Sequence, residues 1–132
     1  MKYISIDGDD VGRKITSCYL SNNCNRLTEL SQSLQAATKA ISIKLQDHGF
    51  DIIFCAADGV VASTTLHINF ETIFSEIREL SPIGITFSAG TGTSLRESYI
   101  ALTSAKSNGK NCIHDYATLD DINKECKFVQ DR

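Results

Sequence analysis

The segment 26–46 constrains the fold most strongly, because it carries one continuous apolar face. Its apolar residues recur at spacings of three and four, the period of an α-helix, over about six turns. These residues are Leu27, Leu30, Leu34, Ala37, Ile41 and Leu45. Gly49 is placed to end the helix at its first position beyond the last turn. The sequence therefore predicts a long helix in the first half of the chain.

A β-hairpin is predicted directly after this helix. Two short apolar runs, IIFCA and VVAS, flank Asp58-Gly59 within residues 51–64. Asp-Gly is a strong signal for a two-residue hairpin turn, because it tolerates the left-handed conformations that such a turn needs. Upstream of the helix, residues 2–7 (KYISID) alternate in polarity and predict a short strand that ends in an acid. The order is therefore strand, helix, hairpin.

The rest of the chain continues to alternate helices and strands. Asn69 and Ser94 are suitable N-caps, and Glu97 completes a capping box with Ser94. The further predicted elements are helices at about 10–20, 69–80, 94–109 and 119–125, and strands at 84–92, 111–116 and 127–130. This order predicts a single α+β domain over 1–132. Its simplest form is a ferredoxin-like central antiparallel sheet with helices packed on one face.

Composition excludes several classes of function. A net charge of −3 and a pI near 5.5 argue against a binder of duplex nucleic acid, which needs a basic face. No apolar run approaches the ~18 residues that a membrane span needs, and the N-terminus turns acidic too early for a signal peptide. The five cysteines form no CxxC pair, as is typical of reduced thiols. We expect a cytoplasmic protein that does not bind membranes.

Acidic residues collect at two turns that this topology brings together. Asp7, Asp9 and Asp10 cluster at the end of the first strand, and Asp58 occupies the hairpin tip. In a ferredoxin-like sheet the first strand lies beside the hairpin, so Asp7 and Asp58 are expected to meet at one edge. Asp and Gly also form ordinary turns. However, clustered carboxylates repel one another, and Mg²⁺ or Mn²⁺ would offset that repulsion with the hard oxygen ligands it prefers.

Two further features fit a phosphate group, although each also has a structural explanation. Gly8 and Gly12 bracket a stretch where backbone N–H groups open a helix, an arrangement that binds triphosphates and that also simply makes a turn. Lys106 and Lys110 lie four residues apart at the end of the predicted helix 94–109. Cations stabilise any helix C-terminus, and two lysines in this position also suit a phosphate.

Three segments resemble a known family. Residues 4–12 (ISIDGDDVG) resemble the DGD-x-x-G motif of the palm domain in the large subunit of type III CRISPR effectors. Residues 54–59 (FCAADG) occupy the place of the Gly-Gly-Asp-Asp or GGDEF hairpin, and residues 101–111 (ALTSAKSNGKN) resemble the AK-x-x-G-[KR]-N ending of GGDEF diguanylate cyclases. Element order agrees over roughly residues 1–116. Since the chain has the size of a palm alone, it most resembles the stand-alone minimal CRISPR polymerase (mCpol) family.

The resemblance implies a palm-type, GGDEF-like nucleotide cyclase with Asp7 and Asp58 as catalytic residues. They would hold two Mg²⁺ or Mn²⁺ ions, with the Gly8 carbonyl as a further ligand and Asp9 as a candidate ligand. The β- and γ-phosphates of ATP or another nucleoside triphosphate would be bound by Lys106, by Lys110 and by the backbone N–H groups of Asp10, Val11, Gly12 and Arg13.

The resemblance also implies a product and partners. The family is associated with cyclic nucleotide synthesis in bacterial anti-phage defence. Adenine is expected, because the guanine-reading Asn and Asp of diguanylate cyclases have no clean match here; the expected product is a cyclic di-AMP-like di- or oligonucleotide. One such site holds one triphosphate, so at least a homodimer with apposed acidic edges is expected, together with a separate effector that binds the product.

The sequence departs from the family pattern at the hairpin. Ala56-Ala57 stands where the family has Gly-Gly, and Gly59 replaces the second acid. Asp9 and Asp10 are the candidates to replace that acid; otherwise the enzyme would be weaker. One alternative is therefore a catalytically inactive palm that senses nucleotides.

A receiver domain of two-component signalling is the other alternative. It too would have an acidic pair after the first strand, a central Asp such as Asp58, a later Thr or Ser (Thr86 or Ser88) and a Lys near Lys106. A receiver needs a strand between the acidic pair and the central Asp, where this sequence predicts the unbroken helix 26–46. Topology therefore separates the two hypotheses.

Overall fold

A computed structural model of the chain describes residues 1–120, which form one mixed five-stranded sheet. The strands are β1 (Lys2–Gly8), β2 (Asp51–Ala56), β3 (Gly59–Thr64), β4 (Phe87–Gly92) and β5 (Ile113–Asp115). Their order in the sheet is β2-β3-β1-β4-β5. The first four pair antiparallel, and β5 joins β4 in parallel at the edge. The prediction of an α+β, ferredoxin-like fold is confirmed, with a parallel edge strand added to the antiparallel centre.

Four helices accompany the sheet in the described residues, and three of them begin at a side-chain cap. They are α1 (Val11–Leu20), α2 (Cys24–Asp47), α3 (Phe70–Leu80) and α4 (Leu95–Ser107). Asn23, Asn69 and Ser94 accept hydrogen bonds from the first free N–H groups of α2, α3 and α4. Gly49 follows α2 with a φ of +90°, the left-handed conformation that ends a helix. The predicted caps at Asn69 and Ser94 and the stop at Gly49 are confirmed.

The main core lies between the sheet and the helices α2 and α3. Side chains on a strand point alternately to its two faces, and Ile4 and Ile6 of β1 share this side. With Val60 of β3, they pack in a cluster of buried residues that includes Leu34, Ile41, Leu45, Ile73, Phe74 and Ile77. The apolar face of 26–46 is thus the face that α2 buries.

Helix α4 packs on the opposite face of the sheet, so the prediction that the helices share one face is wrong. Ser5 points away from Ile4 and Ile6, and its hydroxyl lies 2.8 Å from that of Ser98 in α4. Gly90 in β4 permits the close approach of this helix, because a Cβ there would clash with the backbone of α4. The end of α4 is thereby held beside the end of β1.

The strand that a receiver domain requires is absent from the described segment 9–50, which contains only α1 and α2 between β1 and the hairpin. The predicted strand at 84–92 begins later, at Phe87, after a turn at 82–86. Within residues 1–120, none of the helices combines the length and the apolar character of a membrane span. The predicted helix at 119–125 falls mostly outside the described residues, and the predicted strand at 127–130 lies wholly outside them.

Candidate active site

The end of β1 and the tip of the β2–β3 hairpin lie side by side. Asp7 is opposite Gly59 in the β1–β3 register, and the Gly8 N–H donates to the Asp58 carbonyl at 2.9 Å. A Cβ on Gly8 would lie 2.8 Å from Val11 Cγ2 and 3.3 Å from Asp58 Cβ. A side chain at position 8 would therefore require Val11 or Asp58 to shift. This packing brings Asp7 and Asp58, the two predicted catalytic acids, together at one edge of the sheet.

The carboxyl groups of Asp7 and Asp58 lie beside Gly59 and Gly8, respectively, and interact electrostatically. Partial burial raises the pKa of Asp7 above its ordinary value; the hydrogen bond from Lys106 opposes this rise, and the negative charge of Asp58 adds to it. The surroundings thus disfavour two ionised carboxylates in the absence of another cation. A divalent cation would stabilise such a pair.

Lys106, in the last turn of α4, reaches into this acidic pair. Its ammonium lies 2.7 Å from Asp7 Oδ2 and donates to the Gly8 carbonyl at 2.8 Å. Asp9 Oδ1 lies 3.7 Å from the same ammonium. Lys106 therefore places a cation against the oxygens of Asp7 and Gly8, two of the predicted metal ligands.

Asp9 lies in a different environment from Asp7. Its residue is only 3% exposed. One carboxylate oxygen accepts from the Thr86 hydroxyl at 2.7 Å and from the Asn111 N–H at 3.0 Å, and the other accepts from the Ser88 hydroxyl at 2.8 Å. Asp9 thus joins the end of β1 to β4 and to the segment after α4. The resemblance also implies Asp9 as a candidate metal ligand, but its carboxylate is directed into the protein and already accepts three hydrogen bonds.

The first turn of α1 begins beside the acidic pair. Asp10 is the N-cap, with a left-handed φ of 58°, and its side chain makes no capping hydrogen bond. Val11, Gly12 and Arg13 follow in the first turn. The first N–H groups of a helix have no acceptor within the helix, and the helix dipole favours an anion there. This is the geometry that binds phosphate in many proteins.

Lys110 contacts the same helix start from beyond the end of α4, which finishes two residues before the predicted end at 109. The helix ends at Ser107, and Lys110 follows in a left-handed conformation with a φ of 61°. Its ammonium lies 2.6 Å from Asp10 Oδ1 and holds the pKa of that carboxyl below its ordinary value. The two lysines thus reach the site separately, Lys106 at Asp7 and Lys110 at Asp10.

The donor set of the site matches a hard divalent cation. Asp7, Asp58 and the Gly8 carbonyl offer oxygen atoms alone, as Mg²⁺ and Mn²⁺ prefer. Within residues 1–120, no three His, Cys, Asp or Glu side chains group together as a complete metal site. A set of two carboxylates suits Mg²⁺, which commonly completes its coordination with water and substrate phosphates.

Sequence reasoning missed a cleft of about 360 Å³ between α1 and α2, beside Asp58. Val11, Ile15 and Tyr19 line it from α1, at a spacing of four that puts them on one helix face. The remaining lining residues are Leu27, Leu30, Ser31, Leu34, Gln35, Ala57 and Asp58. The only sequence signal for this cleft was the spacing of four between the apolar residues of α1. That pattern covers only three residues, and it predicted a helix at about 10–20 but no cleft.

Comparison with solved structures places this fold among palm-like domains. An EAL/GGDEF domain protein from M. capsulatus is 18% identical, with a TM-score of 0.62 over 87% of this chain and 83% of that chain. The GGDEF domain of DgcB from Caulobacter crescentus, solved with c-di-GMP, is 11% identical, with a TM-score of 0.58 over 88% and 77% of the two chains. A Y-family DNA polymerase chimera, Dbh-Dpo4, is 13% identical, with a TM-score of 0.53 over 92% and 51%. These identities support the fold alone.

Comparison of the sequence with family models gives a more specific result. The minimal CRISPR polymerase domain (mCpol) matches residues 3–116. None of the curated proteins compared matches the sequence. The family match spans the sheet, the four helices and every residue of the site described above. The chain therefore belongs to the minimal CRISPR polymerase (mCpol) domain family.

Proposed function

We propose that the chain is a metal-dependent nucleotidyltransferase that converts nucleoside triphosphates into a cyclic di- or oligonucleotide second messenger. The observation that carries this proposal is the convergence of Asp7, Asp58 and Lys106 beside the N-terminus of α1. Two carboxylates suit a divalent cation, and the helix N-terminus and lysines suit a triphosphate. The mCpol match and the palm-like fold support the same class of reaction.

In the proposed reaction, a ribose hydroxyl oxygen of one nucleotide attacks the α-phosphorus of another. A new P–O bond forms, the bond from the α-phosphorus to the β-bridging oxygen breaks, and pyrophosphate leaves. The hydroxyl proton passes to solvent. Bound Mg²⁺ or Mn²⁺, two ions by the family resemblance, would supply positive charge that lowers the pKa of the hydroxyl and stabilises the leaving oxygen. Asp7, Asp58 and the Gly8 carbonyl would hold these ions.

The lysines and the start of α1 would bind the phosphates. The backbone N–H groups of residues 10–13 would take the β- and γ-phosphate oxygens at the positive end of the helix dipole. When a triphosphate binds, the ammonium of Lys106 would leave Asp7 and the Gly8 carbonyl and contact a phosphate oxygen. The ammonium of Lys110 would likewise leave Asp10 for a phosphate oxygen. Each lysine is therefore already at the proposed phosphate site, where it is paired with an acid: Lys106 with Asp7 and Lys110 with Asp10.

The proposed product is a cyclic di-AMP-like messenger that acts in anti-phage defence through a separate effector. The described residues of one chain hold one site of this kind, whereas cyclisation of two nucleotides needs two triphosphates. We therefore propose that two copies of the chain appose their acidic edges. Sedimentation of the purified protein tests this proposal. We expect a dimer, and a protein that stays monomeric even with ATP and Mg²⁺ present would contradict it.

The enzymatic proposal is tested by incubating the protein with ATP, GTP, CTP or UTP in Mg²⁺ or Mn²⁺. Products would be resolved by mass spectrometry and pyrophosphate release measured. We expect a cyclic product from ATP that Asp58→Asn abolishes. Asp51→Asn is the matched control, because Asp51 is an exposed acid at the start of β2, the end of the hairpin away from Asp58. Turnover by Asp58→Asn at the wild-type rate would contradict the assignment.

A nucleotide sensor without turnover is the second candidate. It is favoured by Gly59 in place of an acid, and by Lys106 already neutralising Asp7. In that case ATP would bind to the wild-type protein, and neither pyrophosphate nor a cyclic product would appear.

A further inference from the structure

Three consecutive residues after α4, which we call the strained segment, have left-handed backbone conformations. The φ angles are +106° at Gly109, +61° at Lys110 and +48° at Asn111. Glycine adopts this conformation freely, whereas a side chain makes it unfavourable. Within residues 1–120, Lys110 and Asn111 are the only two adjacent non-glycine residues that adopt it. The strained segment therefore depends on contacts with its neighbours to keep its shape.

The strained segment makes two contacts with the loop at the candidate active site. The Lys110 ammonium lies 2.6 Å from Asp10 Oδ1, and the Asn111 N–H donates to Asp9 Oδ2 at 3.0 Å. On the side of α4, the Lys110 N–H donates to the Ala105 carbonyl at 3.1 Å. A change of backbone conformation in the strained segment would therefore move Lys110 away from the start of α1.

Arg78, in the last turn of α3, contacts the strained segment from outside the site. Its Nη2 donates to the Asn111 carbonyl at 2.7 Å, and its Nε donates to Asn111 Oδ1 at 3.4 Å. The guanidinium also lies over the ring of the buried Phe74, 4.6 Å from the ring centroid. This stacking orients the planar group, so that two of its N–H donors point at one residue. A cation in the last turn stabilises any helix, but that effect does not require a paired contact with Asn111.

We propose that Arg78 is a positioning residue, which holds the strained segment in its left-handed conformation and thereby keeps Lys110 at the start of α1. This inference rests on the proposed function, in which Lys110 binds a phosphate group. Within residues 1–120, the hydrogen bonds of the Arg78 side chain go to Asn111 alone. The effect of Arg78 on a bound triphosphate would therefore pass through the strained segment.

The first test needs no nucleotide. Amide hydrogen exchange of the full chain, followed by NMR, measures how often the Asn111 N–H opens from Asp9. Arg78→Ala should accelerate this exchange by about tenfold, the effect expected for the loss of one charge-assisted hydrogen bond. Arg78→Lys should accelerate it nearly as much, because an ammonium keeps the charge but not the planar pair of donors.

Arg96→Ala is the matched control, because Arg96 is an exposed arginine in the first turn of α4, at the end away from Lys106. It should leave the exchange of the Asn111 N–H unchanged. Wild-type exchange in Arg78→Ala would overturn the inference. Wild-type exchange in Arg78→Lys would also overturn it, since charge alone would then be sufficient. Circular dichroism of each variant would confirm that it is folded.

The second test asks whether Arg78 acts through Lys110. The ligand is the α,β-methylene analogue of ATP in Mg²⁺, because its α–β linkage cannot be broken, and calorimetry measures its affinity. Lys110→Met should weaken binding by about tenfold, the size of one charge-assisted contact. Arg78→Ala should cause most of this loss in the wild-type protein. In the Lys110→Met protein it should cause less than about a twofold loss, because the ammonium that it positions is already absent.

The comparison of the two backgrounds separates positioning from a general loss of packing. A packing defect would weaken binding to the same extent whether or not Lys110 is present. Equal losses in the two backgrounds, or no loss from Arg78→Ala in the wild-type protein, would therefore overturn the inference.

Failure of this inference is distinguishable from failure of the proposed function. Faster exchange and weaker analogue binding in Arg78→Ala, without pyrophosphate release from ATP by the wild-type protein, would support the role of Arg78 and contradict the reaction. Pyrophosphate release by the wild-type protein, with unchanged exchange in Arg78→Ala, would support the reaction and contradict the role of Arg78. A wild-type protein that binds no analogue would contradict both.

Discussion

Asp7 and Asp9 are two residues apart in one motif, yet their surroundings are opposite. Asp9 is buried and accepts three hydrogen bonds, from Thr86, Ser88 and Asn111. Asp7 is partly exposed, faces the carboxyl group of Asp58, and has a pKa that burial raises above its ordinary value. Hydrogen-bond donors stabilise the buried carboxylate of Asp9, whereas two neighbouring carboxyl groups form the kind of site that a cation would stabilise.

This difference shows that an acidic motif has to be read one side chain at a time. The four residues Asp7 to Asp10 contain an open acid, a glycine turn, a buried acid and a helix N-cap. Only Asp7 shares its space with an acid from another element. We therefore propose that Asp7 and Asp58 carry the chemistry, whereas Asp9 holds the end of β1 to β4 and to the segment after α4.

The largest effect that we expect from the comparison is on turnover. Asp7→Asn should reduce pyrophosphate release by about 10³-fold, because it removes one of the two carboxylates that would hold the metal ions. Its free energy of unfolding should stay within about 1 kcal/mol of wild type, since the lost ion pair with Lys106 is partly exposed. Chemical denaturation measures the second quantity. If the free energy of unfolding fell by several kcal/mol, Asp7 would have the structural role that we assign to Asp9, and the comparison would be contradicted.

The converse variant, Asp9→Ala, should act on stability. It leaves two hydroxyl groups and the Asn111 N–H without their buried acceptor, at a cost of about 3 kcal/mol. Urea unfolding followed by circular dichroism would measure this loss. An Asp9→Ala protein as stable as wild type would contradict the comparison, whatever its activity.

Lys106 connects the two regions, because its ammonium contacts Asp7 and Gly8 and lies near Asp9. Lys106→Met should weaken binding of the α,β-methylene ATP analogue by about tenfold, the size of one charge-assisted contact. The same variant should bind Mn²⁺ more tightly without nucleotide, since no ammonium competes for Asp7 and Gly8. Electron paramagnetic resonance of free Mn²⁺ tests this, and weaker Mn²⁺ binding would contradict it.

The smallest effect should come from a single donor to Asp9. Ser88→Ala removes one of three hydrogen bonds and should lower the free energy of unfolding by about 1 kcal/mol. Ser33→Ala, at an exposed position of α2, is the control and should change it by less than about 0.5 kcal/mol. Equal effects of the two variants would indicate that the hydrogen bond to Asp9 adds no stability.

Local patterns were sufficient to predict most of the fold. The hairpin, the caps at Asn69 and Ser94, and the apolar period of 26–46 each depend on residues within one or two turns of one another. The two-residue turn itself lies at Ala57-Asp58, one residue earlier than the predicted Asp58-Gly59, because Ala56 pairs with Gly59 and the left-handed residue is Ala57, with a φ of 51°. Together these local patterns gave the topology that places Asp7 next to Asp58. The face on which α4 packs was missed, because it is decided by contacts between elements. Gly90, which permits the close approach, was predicted only as part of the strand 84–92.

The candidate site was predictable only in part for the same reason. The partners of Asp9 lie 77 to 102 residues away in sequence, so no spacing within the acidic motif indicates that its carboxylate is buried. Lys106 and Lys110 were predicted as a pair at the end of the helix 94–109. The helix in fact ends at Ser107, and a left-handed turn carries Lys110 to Asp10.

The most direct test of the central claim is a crystal structure with Mn²⁺ and the α,β-methylene analogue of ATP, in which anomalous scattering locates the ions. We expect Mn²⁺ bound to the carboxylates of Asp7 and Asp58 and to the Gly8 carbonyl, with Lys106 moved onto a phosphate and Asp9 still bound to Thr86 and Ser88. Mn²⁺ on Asp9, or elsewhere with Lys106 still paired to Asp7, would contradict the division of roles between the two acids.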